Sequence, residues 1–172
     1  LSSAFILEYF NKKNISINSS VNSICKKFSI PFQLTSSLNK KWEDEVQIRH
    51  LMEHNALNMH YVYGFKDKVP PLEELLNKKN QYEKIDVINK PGKIFSYSGA
   101  GFLVLQYLIE SIEQKPIHEI SKYFLSDLGI RDITFSPDKE IKKEMACGHK
   151  EGIEISGLRL FFPAFSAGAM GR

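Results

Sequence analysis

Cysteine is scarce in this 172-residue chain: Cys25 and Cys147 are its two. They can form at most one bridge, and their spacing matches neither a disulfide framework nor a zinc site. Long hydrophobic runs are also missing. Phe102-Leu103-Val104-Leu105 is typical of the longest apolar stretches, far below the roughly 18–20 residues a membrane-crossing helix needs. Charge of one sign is missing too. The 23 basic and 20 acidic residues leave +3, spread evenly over both halves, so no basic face or tail points to nucleic acid. No internal repeat or interdomain linker is visible. With 42% hydrophobic, 25% charged and 12% aromatic residues, the chain lies near the soluble average, which excludes disorder and collagen-like or low-complexity sequence. Its length fits one globular domain or most of one.

Ala4, Phe5, Ile6, Leu7 and Phe10 make the first ten residues read as a buried helix that the chain enters without a lead-in. No secretory signal pattern precedes Asn11-Lys12-Lys13-Asn14. The chain is expected to be a piece of a longer protein, with residues 1–172 a partial domain truncated at both ends. Asn11 to Ser20 reads as a polar turn, and the stretch to Pro31 is either a short helix or extended. Val46, Ile48, Leu51 and Met52 predict a helix ending near Asn55; Leu72 to Asn77 starts another after Pro70-Pro71, and Tyr61 to Val69 between them reads as a loop. Lys90-Pro91-Gly92-Lys93 is a turn signal, followed by a short strand and a helix start at Ile94-Phe95-Ser96-Tyr97-Ser98-Gly99. Phe102, Leu105, Leu108, Ile109 and Ile112 share a helical face. Pro116 suits the first position of the next helix, continued by Ile117, Ile120, Phe124 and Leu128 and capped by Gly129. Met145 to His149 reads as a strand, and Ile153 and Ile155 alternate beyond it.

Four motifs bear on chemistry. His50-Leu51-Met52-Glu53-His54 matches H-x-x-E-H, which on one continuous helix puts two imidazoles on one face for zinc with Glu53 to activate water. A zinc peptidase needs a third ligand, and none is picked out. Ser-x-x-Lys, in which a lysine amine activates a serine, occurs at Ser23-Ile24-Cys25-Lys26 and Ser37-Leu38-Asn39-Lys40. Chance pairing of the chain's serines and lysines explains both, and both lie in polar, loop-like sequence. Ala164-Phe165-Ser166-Ala167-Gly168 is one residue from the G-x-S-x-G elbow, but the acid and His that must follow it have no room in the remaining residues. By its residues alone, the segment Pro91 to Gly99 is a turn leading into an apolar helix, with Tyr97 a packed aromatic.

Four segments taken in order change that reading: Ile48-Arg49-His50-Leu51-Met52-Glu53-His54-Asn55-Ala56-Leu57, then Pro91-Gly92 through Tyr97-Ser98, then Gln114-Lys115-Pro116-Ile117, then Leu128-Gly129-Ile130-Arg131-Asp132-Ile133-Thr134-Phe135. Together they resemble the serine β-lactamase-related family, in its class C β-lactamase, D-alanyl-D-alanine carboxypeptidase and esterase branch. That branch shows I-R-H-L-L-x-H-T-S-G-L, P-G-x-x-F-x-Y-S-N, G-K-P and L-G-M-x-D-T-x-F in the same order. Ala146-Cys147-Gly148-His149 and Ser166-Ala167-Gly168-Ala169 resemble its later A-x-G-Y and G-x-G-G stretches, so the likeness covers nearly the whole chain.

The resemblance implies an α/β (α+β) fold of the serine β-lactamase and penicillin-binding-protein kind, incomplete and mostly its helical lobe. It implies a serine hydrolase acting through an acyl-serine on peptidoglycan-like peptides, β-lactams or small esters, with no cofactor and no metal. It assigns His50 and His54 to packing, which leaves zinc as the alternative reading of His50, Glu53 and His54. The family's site has a Ser-x-x-Lys at a helix start, a Tyr-x-Asn loop and a Lys-Thr-Gly-like strand. Tyr97-Ser98-Gly99 matches the second, so Tyr97 is the expected catalytic proton-transfer residue, with Ser98 and Gly99 at the substrate. Gly99 departs from the pattern, because it has no amide to hold a substrate. The other two elements are expected before Leu1 and after Arg172, so the chain alone should not turn over substrate. A non-catalytic binding or regulatory homologue is the rival implied by Gly99. Family members are often extracytoplasmic, which is the expectation for location.

Overall fold

The computed structural model describes residues 1–58, 61, 64, 65, 68–77, 83–130, 133–135, 149–154, 164–167, 170 and 171. Its organising element is the helix Gly99–Glu113. The helices are α1 (Ser2–Lys12), α2 (Val21–Lys27), α3 (Trp42–Glu45), α4 (Ile48–Met52), α5 (Leu72–Leu76), α6 (Gly99–Glu113), α7 (Ile117–Asp127) and α8 (Ala164–Ala167). Short strands β1 (Ile133–Thr134) and β4 (Met170–Gly171) pair antiparallel, as do β2 (His149–Lys150) and β3 (Ile153–Glu154). Ser20 with Gln47 and Leu57 with Val87 form isolated bridges.

Apolar residues occur almost all round α6, and a helix of that kind has to be enclosed. Ala100, Leu103, Val104, Leu105, Leu108 and Ile109 are fully shielded, with α4, α5, α7 and α8 packed around them. Each buried aliphatic side chain of this size contributes about 1.5–3 kcal/mol relative to exposure. Phe5 of α1 meets Phe124 of α7 at 5.4 Å and Phe165 of α8 at 5.9 Å, and Phe165 meets Phe135 at 5.2 Å. This aromatic cluster ties the chain's early and late segments together.

Two polar side chains inside the fold, Asn22 and Gln106, are bonded to the backbone of neighbouring segments. Buried Asn22 accepts from the Leu34 amide at 2.8 Å and donates to the Leu34 and Glu43 carbonyls. Gln106 donates to Glu110 at 3.0 Å and accepts from the Phe165 amide at 3.1 Å, while Glu110 accepts from Ile117, the first residue of α7, at 2.8 Å. Two adjacent turns of α6 thus satisfy backbone groups of two neighbouring helices.

Most expected elements are present. Two differ, and one open stretch is settled. The stretch before Pro31 is helical over Val21–Lys27, because Val21, Ile24 and Cys25 face the core. The predicted helix from Val46 to Asn55 is only Ile48–Met52: Val46 is extended, and the chain turns left-handed at His54 (φ +54°) with the Asn55 amide bonded to the His50 carbonyl at 3.2 Å. That bond is the long closure of a Schellman end, which stops the helix. Of the strand expected after Lys93, residues 94–97 are in no strand and Ser98 makes only an isolated bridge. Gly129 is in the left-handed region (φ +69°), two residues after the end of α7 and one after its C-cap Leu128, as its capping role requires. Of the strand expected over Met145 to His149, residues 145–148 lie outside the described residues, as do Cys147, Ile155, Arg131, Asp132, Gly168 and Ala169.

Candidate active site

The Tyr97 loop is fastened to the end of α4. Gly92 (φ +78°) makes the turn after Pro91, and a side chain there would come within 3.1 Å of the His50 ring nitrogen. Its amide donates to the Asn55 carbonyl at 2.9 Å, and the Ser96 amide donates to the His54 carbonyl at 2.7 Å. The Pro91-Gly92 and His50-to-Asn55 motifs, distant in sequence, are therefore two sides of one packed corner.

Each expected site residue has a definite place. Tyr97 is half exposed, its ring 4.7 Å from that of His54 and tilted by 33°. Ser98 is the N-cap of α6 and only 2% exposed; its Oγ has no hydrogen-bond partner among the described residues and makes no capping bond. Its main chain does the holding: the Ser98 amide lies 3.2 Å from His54 Nδ1, and the Ser98 carbonyl lies 3.1 Å from it. Gly99, buried, opens α6. Two residues on, Gly101 packs so tightly that a Cβ would lie 2.6 Å from the Leu51 carbonyl oxygen. That close approach brings the start of α6 onto the end of α4.

The same geometry corrects the zinc reading. H-x-x-E-H needs one continuous helix, yet α4 ends at Met52, Glu53 is its C-cap and His54 has left the helix. Buried His50 accepts from the Gln47 amide through Nδ1 at 3.2 Å, and burial, with Arg49 beside it, lowers its pKa. Among the described residues no cluster of His, Cys, Asp and Glu is arranged to hold a metal ion. The Ser-x-x-Lys pairs also change setting. Ser23 and Lys26 lie in helix α2 rather than a loop, both exposed, and Ser37 is hydrogen-bonded to Asp86. Ser166 lies in the short helix α8.

A cavity of about 530 Å³, lined by Phe28, Ile30, Pro71, Tyr107, Glu110 and Gln114 among others, sits against the later turns of α6. At 1.5 Å rise per residue, it is more than about 12 Å along the helix from Gly99, and so is separate from the Tyr97 corner.

No family model matches the sequence, and no curated protein matches it. Solved structures do match. EstCE1, described as a hydrolase with promiscuous acyltransferase activity, is 16% identical, with a TM-score of 0.64 over 99% of this chain and 53% of its own. FmtA from Staphylococcus aureus is 19% identical, with a TM-score of 0.64 over 99% of this chain and 46% of its own. A β-lactamase/D-alanine carboxypeptidase from Pseudomonas syringae is 16% identical, with a TM-score of 0.64 over 99% of this chain and 43% of its own. The chain has the serine β-lactamase and penicillin-binding-protein fold. It spans about half the length of these structures and is mostly helical, as expected of the helical lobe of that fold.

Sequence reasoning missed what two residues of the Tyr97 corner do. Gly101 was signalled by the Gly99-Ala100-Gly101 run at a helix start, where small residues allow close backbone approach. His54 was noticed, but as a zinc ligand or packing residue rather than the neighbour of Tyr97. Nothing in local sequence pairs positions so far apart.

Proposed function

We propose that this chain is part of a serine hydrolase that works through an acyl-serine intermediate, with Tyr97 as its catalytic proton-transfer residue. The supporting observation is the half-exposed Tyr97 ring at the mouth of α6, in a fold shared with a hydrolase and a β-lactamase/carboxypeptidase. In the proposed reaction a serine hydroxyl attacks the substrate carbonyl carbon. Its proton passes by way of Tyr97 and a lysine to the leaving group, and water then releases the acyl group by the reverse transfers. The serine and lysine are assigned to a Ser-x-x-Lys preceding Leu1, and the Lys-Thr-Gly-like strand to sequence following Arg172. Residues 1–172 form a partial domain and are inactive alone. No metal or organic cofactor enters the scheme.

Ser98 and Gly99 are assigned to the substrate side. The first turn of α6 carries partial positive charge that favours a developing anion nearby. Without the Asn amide of the family pattern, Gly99 favours small esters over β-lactams and peptidoglycan-like peptides, whose amide groups need orientation. Gly99 also supports a second reading, a homologue that binds such ligands without catalysis.

The test is acylation of the full-length protein by a fluorophosphonate or a penicillin, read as an added mass. A serine adduct is expected, and Tyr97→Phe is expected to slow its formation by about 100-fold or more. Equal rates would remove Tyr97 from the mechanism. An upstream reading frame without Ser-x-x-Lys, together with no adduct, would select the non-catalytic homologue.

A further inference from the structure

We propose that His54 is the positioning residue for Tyr97, holding the phenol ring by a ring contact and the backbone beyond it by a hydrogen bond. This rests on the role given to Tyr97 above, but the contacts themselves do not. His54 has φ +54°, a conformation that Gly or Asn adopts at a helix end with least strain. A histidine here needs compensation, and its side chain supplies it. The imidazole lies 4.7 Å from the Tyr97 ring, 5.7 Å from Phe102 and 6.1 Å from Phe95, distances at which aromatic rings attract.

The other half of the hold is polar. Ser98 is buried, and His54 Nδ1 at 3.2 Å is the acceptor for its amide. The Ser98 carbonyl has another donor, the Gly101 amide at 3.4 Å, within the first turn of α6. With the Ser98 carbonyl already served by Gly101, Nδ1 is assigned as acceptor for the Ser98 amide and the proton to Nε2. The His54 carbonyl adds a third tie, to the Ser96 amide at 2.7 Å. One residue thus contacts Ser96, Tyr97 and Ser98 in succession, fixing the height and tilt of the phenol ring before any substrate arrives. A proton-transfer group gains from such preorganisation, because displacement by about 1 Å can cost 100-fold in rate.

Two substitutions in the full-length protein separate the two holds. His54→Asn keeps a short acceptor and tolerates the left-handed backbone, but loses the ring. His54→Phe keeps a ring and loses the acceptor. With isotope-labelled tyrosine, and the Tyr97 signal assigned by its loss in Tyr97→Phe, His54→Asn should shift the Tyr97 ring resonance by removing the ring current. His54→Phe should leave a ring-current shift and accelerate hydrogen exchange at the Ser98 amide. In acylation, His54→Asn should lower the maximal rate by about tenfold to hundredfold while apparent probe affinity stays within about threefold. A folded His54→Asn protein whose Tyr97 resonance is unmoved overturns the proposal. If His54→Asn does not fold, unaltered Ser98 exchange in His54→Phe overturns it instead. A moved resonance in a protein that no probe acylates would leave the hold on Tyr97 standing and refute the hydrolase reading.

Discussion

Gly101→Ala probes the contact that seats α6 on α4. The added Cβ would lie 2.6 Å from the Leu51 carbonyl oxygen and 3.3 and 3.4 Å from the Leu51 carbonyl carbon and Cα. The nearest contact falls short of an ordinary 3.4 Å approach by about 0.8 Å. All three atoms are backbone, so no side chain can rotate away, and α6 has to retreat. Its flanking Leu103, Val104 and Leu105 are fully buried, so retreat disturbs packing on several sides. Overpacking of this kind costs about 1–3 kcal/mol, with the rigid obstacle favouring the upper half. Replacing Gly in a helix interior returns about 1 kcal/mol. The expected net loss is therefore about 1–2 kcal/mol, read as a lower urea midpoint at unchanged slope. Acylation should slow as well, because the start of α6 carries the Tyr97 loop. A Gly101→Ala protein as stable as the wild type, or more so, would mean that helix propensity alone operates and that the close contact with Leu51 does not exist.

Ser98→Ala removes a buried hydroxyl that has no partner among the described residues and caps nothing, so stability should hold or rise by up to about 1 kcal/mol. A loss above about 1 kcal/mol in urea unfolding would show that the hydroxyl has a partner. Glu113 accepts from Tyr9 at 2.8 Å and pairs with Lys13 at 2.6 Å. The Lys13 bond, aided by Tyr9, holds its pKa below the ordinary 4.5 despite opposing desolvation. A carboxylate with a lowered folded value stabilises fully above its unfolded value and loses that contribution as pH falls through the folded one. Glu113→Gln should thus cost roughly 1 kcal/mol at neutral pH, discounted for its partial exposure, and much less in acid. A mutant deficit that persists unchanged in acid would refute the ion-pair account.

The central helix was legible because its signal is local: Phe102, Leu105, Leu108, Ile109 and Ile112 recur at helical spacing, with Pro116 and Gly129 bounding the next helix. The order of the four family-like segments was legible as well. It identified the fold before any geometry, and it singled out Tyr97 and the departure at Gly99. The length of α4 was not legible, since Val46 to Asn55 continues a helical hydrophobic pattern. A left-handed turn at His54 ends the helix, and its ties to the loop at Ser96 and Ser98 come from outside the segment.

Sequence by itself therefore determined the helical lobe and the identity of its candidate catalytic tyrosine, because periodicity, caps and motif order are written in neighbouring residues. Tertiary structure alone decided what His54 does, while the contact of His50 is local to its helix start. A histidine's role depends on which nitrogen is occupied and by what. Here the occupants are the Gln47 amide, within its own helix start, and the Ser98 amide, which only folding brings to 3.2 Å.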